Sequence, residues 1–456
     1  MQTPKELLDE SFADIPDRIE PSISMNQPNQ ELDIFTGIFE LASGPNRATL
    51  NGTISFRWHP STDTSFTGEV KADPSLILHN SMETGLSLYV DGLLVGAAHI
   101  TRRIVGKNQI ISGICTGSII GDRSVAVSEV FFSVPNFRDF LGKLVRDPGT
   151  YSSHRARLEF DDSEYKIILD KHQSYKELWQ ELGQTGGYQI LYGGKIIKHK
   201  GTISLPELRD YLFKFNNFLS FVNGARISLL FLKGVHAGAT LWTDYAGYSC
   251  DSYKPSQSWA NALAIDDLNG IWNKFSEIWS EPDNKQFLLL AVHWYLESNS
   301  TSVVDSSIIM VQTCLELLYN WLVVEQKKII TGSDATNISA SNKIRLMISQ
   351  IGISPAVPAK FTHLSNMVEE NDAPEVLVWI RNCLVHGQKN KRNELAKLSD
   401  MVKFEALQLG LWYSELVLLY ILGYNGNYAN RSELTGWRVK GELVPWAPQP
   451  SKAVVS

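Results

Sequence analysis

The sequence predicts an α+β protein in which a β-rich N-terminal region precedes an all-α helical bundle. Three observations carry this expectation. From about residue 31 to 170, runs rich in β-branched and aromatic residues are punctuated by Gly, Asn and Asp. After Pro282, apolar residues recur three and four apart instead. The seams they form are joined by short polar loops, the pattern of a bundle.

Residues 1–30 contain Pro4, Pro16, Pro21 and Pro28 with little periodicity, and read as a flexible arm. Residues 31–270 read as a β-rich domain with strands at 32–41, 47–58, 86–100, 110–120 and 155–169. Asp91-Gly92 divides the third run and predicts a tight hairpin turn. Ser204-Leu205-Pro206-Glu207 then supplies a capping serine, a first-turn proline and a reciprocal glutamate. Leu208, Leu212, Phe215, Leu219 and Val222 follow at helical spacing, and Gly224 stops the helix. Strand character returns at 226–232 and 238–245.

Residues 271–430 read as the bundle, with helices at 285–297, 303–325, 343–350 and 374–386, the last closed by Gly387. A single long helix is expected over 393–422, with Leu395, Leu398, Val402, Leu409, Trp412, Leu416 and Leu419 on one seam. Residues 431–456, which include Trp437, Pro445 and Trp446, read as a tail docking on the bundle.

Composition narrows the function classes. The 456 residues are 43% hydrophobic and 20% charged, and 42 basic against 49 acidic residues give a net charge of −7. That balance argues against a broad basic surface coating nucleic acid, yet permits a small anion site. Cys115, Cys250, Cys314 and Cys383 are scattered without a C-x-x-C pair or Cys/His cluster, so a disulfide scaffold or zinc ribbon is not expected. The apolar runs 287–295 and 409–422 are interrupted by His293 and Glu415 and fall short of a membrane span. The acidic first residues lack a signal-peptide pattern, and the reading is a cytoplasmic protein without membrane contact. Gly193-Gly194-Lys195 lacks phosphate-loop spacing, and neither G-x-G-x-x-G, G-x-S-x-G nor H-E-x-x-H occurs.

One constellation carries chemistry. Arg381-Asn382-Cys383-Leu384-Val385-His386 ends the helix that Gly387 terminates. At about 100° per residue, Val376, Leu377, Ile380, Cys383 and Leu384 share a core face. Arg381, Asn382 and His386 point away from it, and Cys383 on the core arc is a poor nucleophile. Val378 and Val385 also face outward, which predicts a covering partner. Lys389, Lys391 and Arg392 add a basic loop. A histidine, an arginine fork and a basic loop suit an anionic phosphodiester. Metal-independent RNA cleavage uses the ribose 2′-hydroxyl as nucleophile, for which His386 is the natural acid/base group and Arg381 the stabiliser of charge on phosphorus. Asn382 is placed to orient His386 or to bind a phosphate oxygen. Glu316 reads either as a residue of a solvated face or as a supporting group able to reach Arg381. His293 reads as a satisfied core residue, and Glu405 as a buried partner for a base or a supporting group of the site.

The R-N-x-x-x-H pattern on a late bundle helix resembles the HEPN ribonucleases, over about 285–446. The likeness includes Ala291-Val292-His293-Trp294-Tyr295-Leu296-Glu297, Leu315-Glu316-Leu317-Leu318, Asn342-Lys343-Ile344-Arg345-Leu346, and Tyr428-Ala429-Asn430-Arg431 through Val444-Pro445-Trp446. Together these look like the ApeA-like HEPN group, bacterial anti-phage proteins with a β-rich domain ahead of the bundle. The resemblance implies a HEPN-type bundle and metal- and cofactor-independent endoribonuclease activity. It also implies a site completed across a homodimer, with RNA, tRNA included, as substrate. The expected function is an abortive-infection effector whose N-terminal domain senses a phage-derived trigger. The alternative is a non-catalytic dimerisation and ligand-binding scaffold of the same fold.

Overall fold

The computed structural model describes residues 10–71, 85–105, 109–260, 262, 268–300, 303–367, 372–433 and 441–448. Its chain falls into two units, one of residues 1–216 and 227–255, the other of 217–226 and 256–456. The expected division at 270/271 differs from this, because the end of one helix and the segment after 255 pack with the helical unit. The mixed α/β character, strands first and helices after, is as the sequence predicts.

In the first unit, β1 (Leu32–Ser43), β2 (Asn46–Arg57), β3 (Asp63–Val70), β4 (Leu86–Val90), β5 (Leu93–Ile104) and β6 (Ile110–Thr116) close into an antiparallel barrel of order β1-β2-β3-β6-β5-β4. Alternate residues fill it, among them Phe39, Leu41, Leu50, Ile54, Phe66, Leu88 and Ile111. Asp91 and Gly92 both have positive φ, 49° and 76°, as the predicted hairpin requires.

An eight-stranded antiparallel sheet follows, built from β7 (Ile119–Gly121), β8 (Glu129–Pro135), β9 (Lys143–Arg146), β10 (Ser153–Asp161), β11 (Tyr165–Lys171), β12 (Ile190–Lys198), β13 (Leu230–His236) and β14 (Ala239–Asp244). Its order is β7-β14-β13-β8-β12-β11-β10-β9. Helix α1 (Tyr175–Thr185) and helix α2 (Leu205–Asn223) lie between its strands in sequence. Helix α2 matches the capping signal, and Gly224 ends it at φ 73°.

Several expectations change. The 110–120 strand is interrupted at Gly117, whose φ of 68° sends β6 and β7 into different sheets. The 155–169 run is a hairpin, because Asp162 accepts hydrogen bonds from the amides of Glu164 and Tyr165 and turns the chain. The 226–232 strand starts later, at Leu230. Strands β3, β8, β9 and β12 and helix α1 were not anticipated.

The arm expectation is corrected for residues 10–30, while residues 1–9 lie outside the described residues. Arg18 is buried and paired with Asp147 at 2.9 Å, and the Ile19 amide donates to Asp170 at 2.7 Å. Gly193 allows the close approach, since a Cβ there would lie 2.2 Å from the Pro21 nitrogen. A buried charge pair and a bare strand backbone fix a segment whose sequence lacks periodicity.

The second unit contains α3 (Leu268–Ser280), α4 (Pro282–Ser300), α5 (Val304–Tyr319), α6 (Gly332–Asn337), α7 (Ala340–Ser349), α8 (Thr362–Ser365), α9 (Ala373–Val385), α10 (Lys389–Leu395) and α11 (Asp400–Ile421). Helix α5 continues into a π-helical turn, Asn320–Gln326. The 304–326 span is the one described helix long and apolar enough to cross a membrane, and 56% of its most apolar window is buried within the protein. Helix α11 is apolar nearly all round and packs against α4, α5 and α9. A Cβ on Gly410 would lie 2.9 Å from Val311 Cγ1, which shows how closely α5 and α11 meet.

The single helix expected over 393–422 is two. The chain leaves α10 after Leu395, and the Ser399 side chain accepts from the Val402 amide to start α11 anew. His293 is exposed rather than a core residue. After α11, a short ladder of β15 (Asn427–Tyr428) and β16 (Glu442–Leu443) folds back, and Trp446 donates to the Tyr424 carbonyl at 2.7 Å. Trp437 lies outside the described residues.

Candidate functional site

Helix α9 starts at Asp372, whose carboxylate accepts from the Glu375 amide at 3.0 Å, with Pro374 in the first turn. Arg345 on α7 grips the same carboxylate, one bond measuring 2.7 Å. Val376, Leu377, Ile380 and Cys383 are buried and Leu384 half-buried, so the helix presents the core face expected from its periodicity. Arg381 and Asn382 are consequently half-buried, while Val385 (43% exposed) and His386 lie in solvent.

His386 is the residue at which the helix stops. Its amide still donates to the Asn382 carbonyl at 3.0 Å, but its backbone is extended, with φ −88° and ψ 99°. No hydrogen bond from its imidazole is found among the described residues. The Arg381 guanidinium donates to the Asn382 side-chain oxygen at 3.1 Å and has no ion pair among the described residues. Asn382 therefore steadies Arg381 rather than the His386 ring. An arginine without a carboxylate keeps its charge available for an anion.

The predicted basic loop is instead helix α10, and two of its three cations are engaged. Lys391 pairs with Glu394 at 2.8 Å, and Arg392 bonds the Gly387 carbonyl. Lys389 is exposed. Glu394 latches α10 onto α9, accepting from Trp379 at 3.2 Å and from Cys383 at 3.3 Å as well. The hydrogen bond from Lys391, followed by that from Cys383, holds Glu394 below the usual carboxylate range. Burial, with Glu394 alongside, pushes the Cys383 thiol up to about 11, so this thiol is not an activated nucleophile.

Arg381 faces a cleft of about 110 Å³ lined also by Gln312, Glu316, Lys343, Ile344 and Val378. Glu316 lines the same cleft as Arg381, but it is 58% exposed and its salt bridge is to Lys343 at 2.7 Å. Glu405 is buried and accepts from the Leu364 amide at 2.7 Å; it holds the start of α8, and no base pairs with it among the described residues. Gln312 and Lys343 were not identified as site residues from the sequence. The available signal was the helical spacing of Gln312 and Glu316, four apart on α5. Among the described residues no group of three or more His, Cys, Asp or Glu side chains could hold a metal ion.

Residues 281–444 match the YopA C-terminal domain, and residues 122–256 match the YopA central domain. An SPbeta prophage-derived uncharacterized protein YopA of Bacillus subtilis (strain 168) is 26% identical over 426 residues, covering 92% of this chain and 95% of the relative. No solved structure matches the chain. The central-domain match spans β8 through β14 of the eight-stranded sheet, and the C-terminal match runs from the start of α4 to beyond β16, with Arg381 and His386 inside it. The six-stranded barrel precedes both.

Proposed function

We propose that this chain is a metal-independent endoribonuclease of the HEPN type, acting on cytoplasmic RNA in conflict between a bacterium and a phage. The observation that carries the reading is the polar end of α9. There Arg381 has no carboxylate partner among the described residues, Asn382 steadies it, and His386 stands in solvent at the helix terminus. In the reaction the 2′-oxygen attacks phosphorus and the 5′-oxygen leaves, giving a 2′,3′-cyclic phosphate and a 5′-hydroxyl. One histidine takes the 2′ proton and a second gives a proton to the leaving oxygen. Arg381 meets the charge that grows on the phosphoryl oxygens.

A single helix end offers one such histidine, so the reading includes a two-fold dimer through the Arg381, Val378 and Val385 face. Exposed Val385 supports that face. The prophage origin in the relative's name supports the setting in phage conflict, with the β-rich part as the control element. The test is cleavage of total RNA by purified protein in excess EDTA. The wild type is expected to cut, and Arg381→Ala is expected not to. Activity lost in EDTA and restored by magnesium would move the chemistry elsewhere.

A further inference from the structure

The cleft between α5, α7 and α9 holds more than Arg381. The Lys343 side chain is 13% exposed, and its ammonium lies 5.6 Å from the centre of the Tyr319 ring. Its counter-ion Glu316 is 58% exposed, and an ion pair with one well-solvated partner is weak and readily exchanged. The Gln312 side chain lines the cleft, and its amide nitrogen is buried with no hydrogen-bond partner among the described residues. Ile344 and Val378 supply an apolar wall. A cation beside Arg381, one displaceable carboxylate, a side-chain amide and an apolar wall suit a nucleotide: phosphate on Lys343, base against the wall, its polar edge at Gln312.

We infer that this cleft is the nucleotide subsite beside the scissile bond. Lys343 holds the adjoining phosphate, Arg381 stays on the scissile one, Gln312 lies against the base, and Glu316 occupies Lys343 until phosphate displaces it. The inference depends on the ribonuclease reading for the identity of its ligand.

The test titrates the full-length protein with uridine 3′-monophosphate, adenosine 3′-monophosphate and inorganic phosphate by calorimetry, alongside cleavage of a defined RNA. Lys343→Gln should weaken all three ligands about tenfold, the effect of one charge-assisted contact, and raise KM more than it lowers kcat. Lys343→Arg should restore binding, which guards against a folding defect. Gln312→Leu should weaken the nucleotides, leave phosphate unchanged and alter the base preference beside the cut. Glu316→Gln should strengthen phosphate binding. Unchanged ligand affinities and cleavage preference in Lys343→Gln and Gln312→Leu would overturn the subsite while leaving the ribonuclease reading standing. Nucleotide binding with these dependences in a protein that leaves RNA intact would overturn the ribonuclease reading while leaving the subsite standing.

Discussion

At the scale of single residues, the end of α9 separates chemistry from stability. Arg381 and His386 lie off the core face, so Arg381→Ala and His386→Ala are each expected to abolish cleavage while shifting unfolding free energy by no more than about 1 kcal/mol, measured by denaturant melts beside the activity assay. Glu394 is the residue that holds the adjoining turn. Its carboxyl lies below the ordinary range in the folded protein, so its contribution is present above the ordinary glutamate pKa and is lost as pH falls through the folded value. Removing it also relieves the Cys383 thiol of a neighbour that raises its pKa. Glu394→Ala should therefore speed alkylation of Cys383 at pH 8 several-fold, read by peptide mass spectrometry, while buried Cys115 and Cys314 stay protected. Equal Cys383 labelling in both proteins would show that the latch does not hold α10.

At the scale of elements, the returning tail is fastened to α11 by a buried ion pair. Arg431 meets both oxygens of Glu415 at 2.7 Å, and Tyr295 donates to the same carboxylate at 2.6 Å. Arg431→Met alone strands a buried carboxylate and is expected to cost about 3–5 kcal/mol, while Arg431→Met with Glu415→Leu should recover only part of that loss, because the Tyr295 hydroxyl and the Trp259 amide lose the same acceptor. Denaturant unfolding of both variants checks it. The same element shows what sequence could convey. The 3.6-residue period places α4, α5, α7 and α9 and orients Arg381 correctly, because burial on one face leaves that period in the sequence. It fails at 396–399, where seam leucines continue across a break that Ser399 caps locally. It fails again for residues 10–30, whose order comes from Arg18, Asp147 and Gly193 far apart in sequence. Lys343 and Gln312 were missed for a related reason: the spacing of Gln312 and Glu316 on α5 marks a shared face but not which other helices close a cleft over it.

At the scale of the molecule, the account requires two copies for one reaction. Val385 is exposed, and burying it against a second copy would contribute about 25 cal/mol per Å², whereas Val378, expected to face outward, is half-buried in the cleft between helices of its own chain. Val385→Asp should weaken association and cleavage together, with each subunit still folded, as read by sedimentation and circular dichroism. A wild-type monomer cleaving RNA at first order in protein would sink the dimer. The central claim, RNA cleavage by 2′-hydroxyl attack at the end of α9, is tested most directly by sequencing RNA 5′-hydroxyl ends from cells expressing the wild type or His386→Ala at equal levels. The account predicts new 5′-hydroxyl ends at defined sites with the wild type and none with His386→Ala. The same ends in both, or none in either, would contradict it.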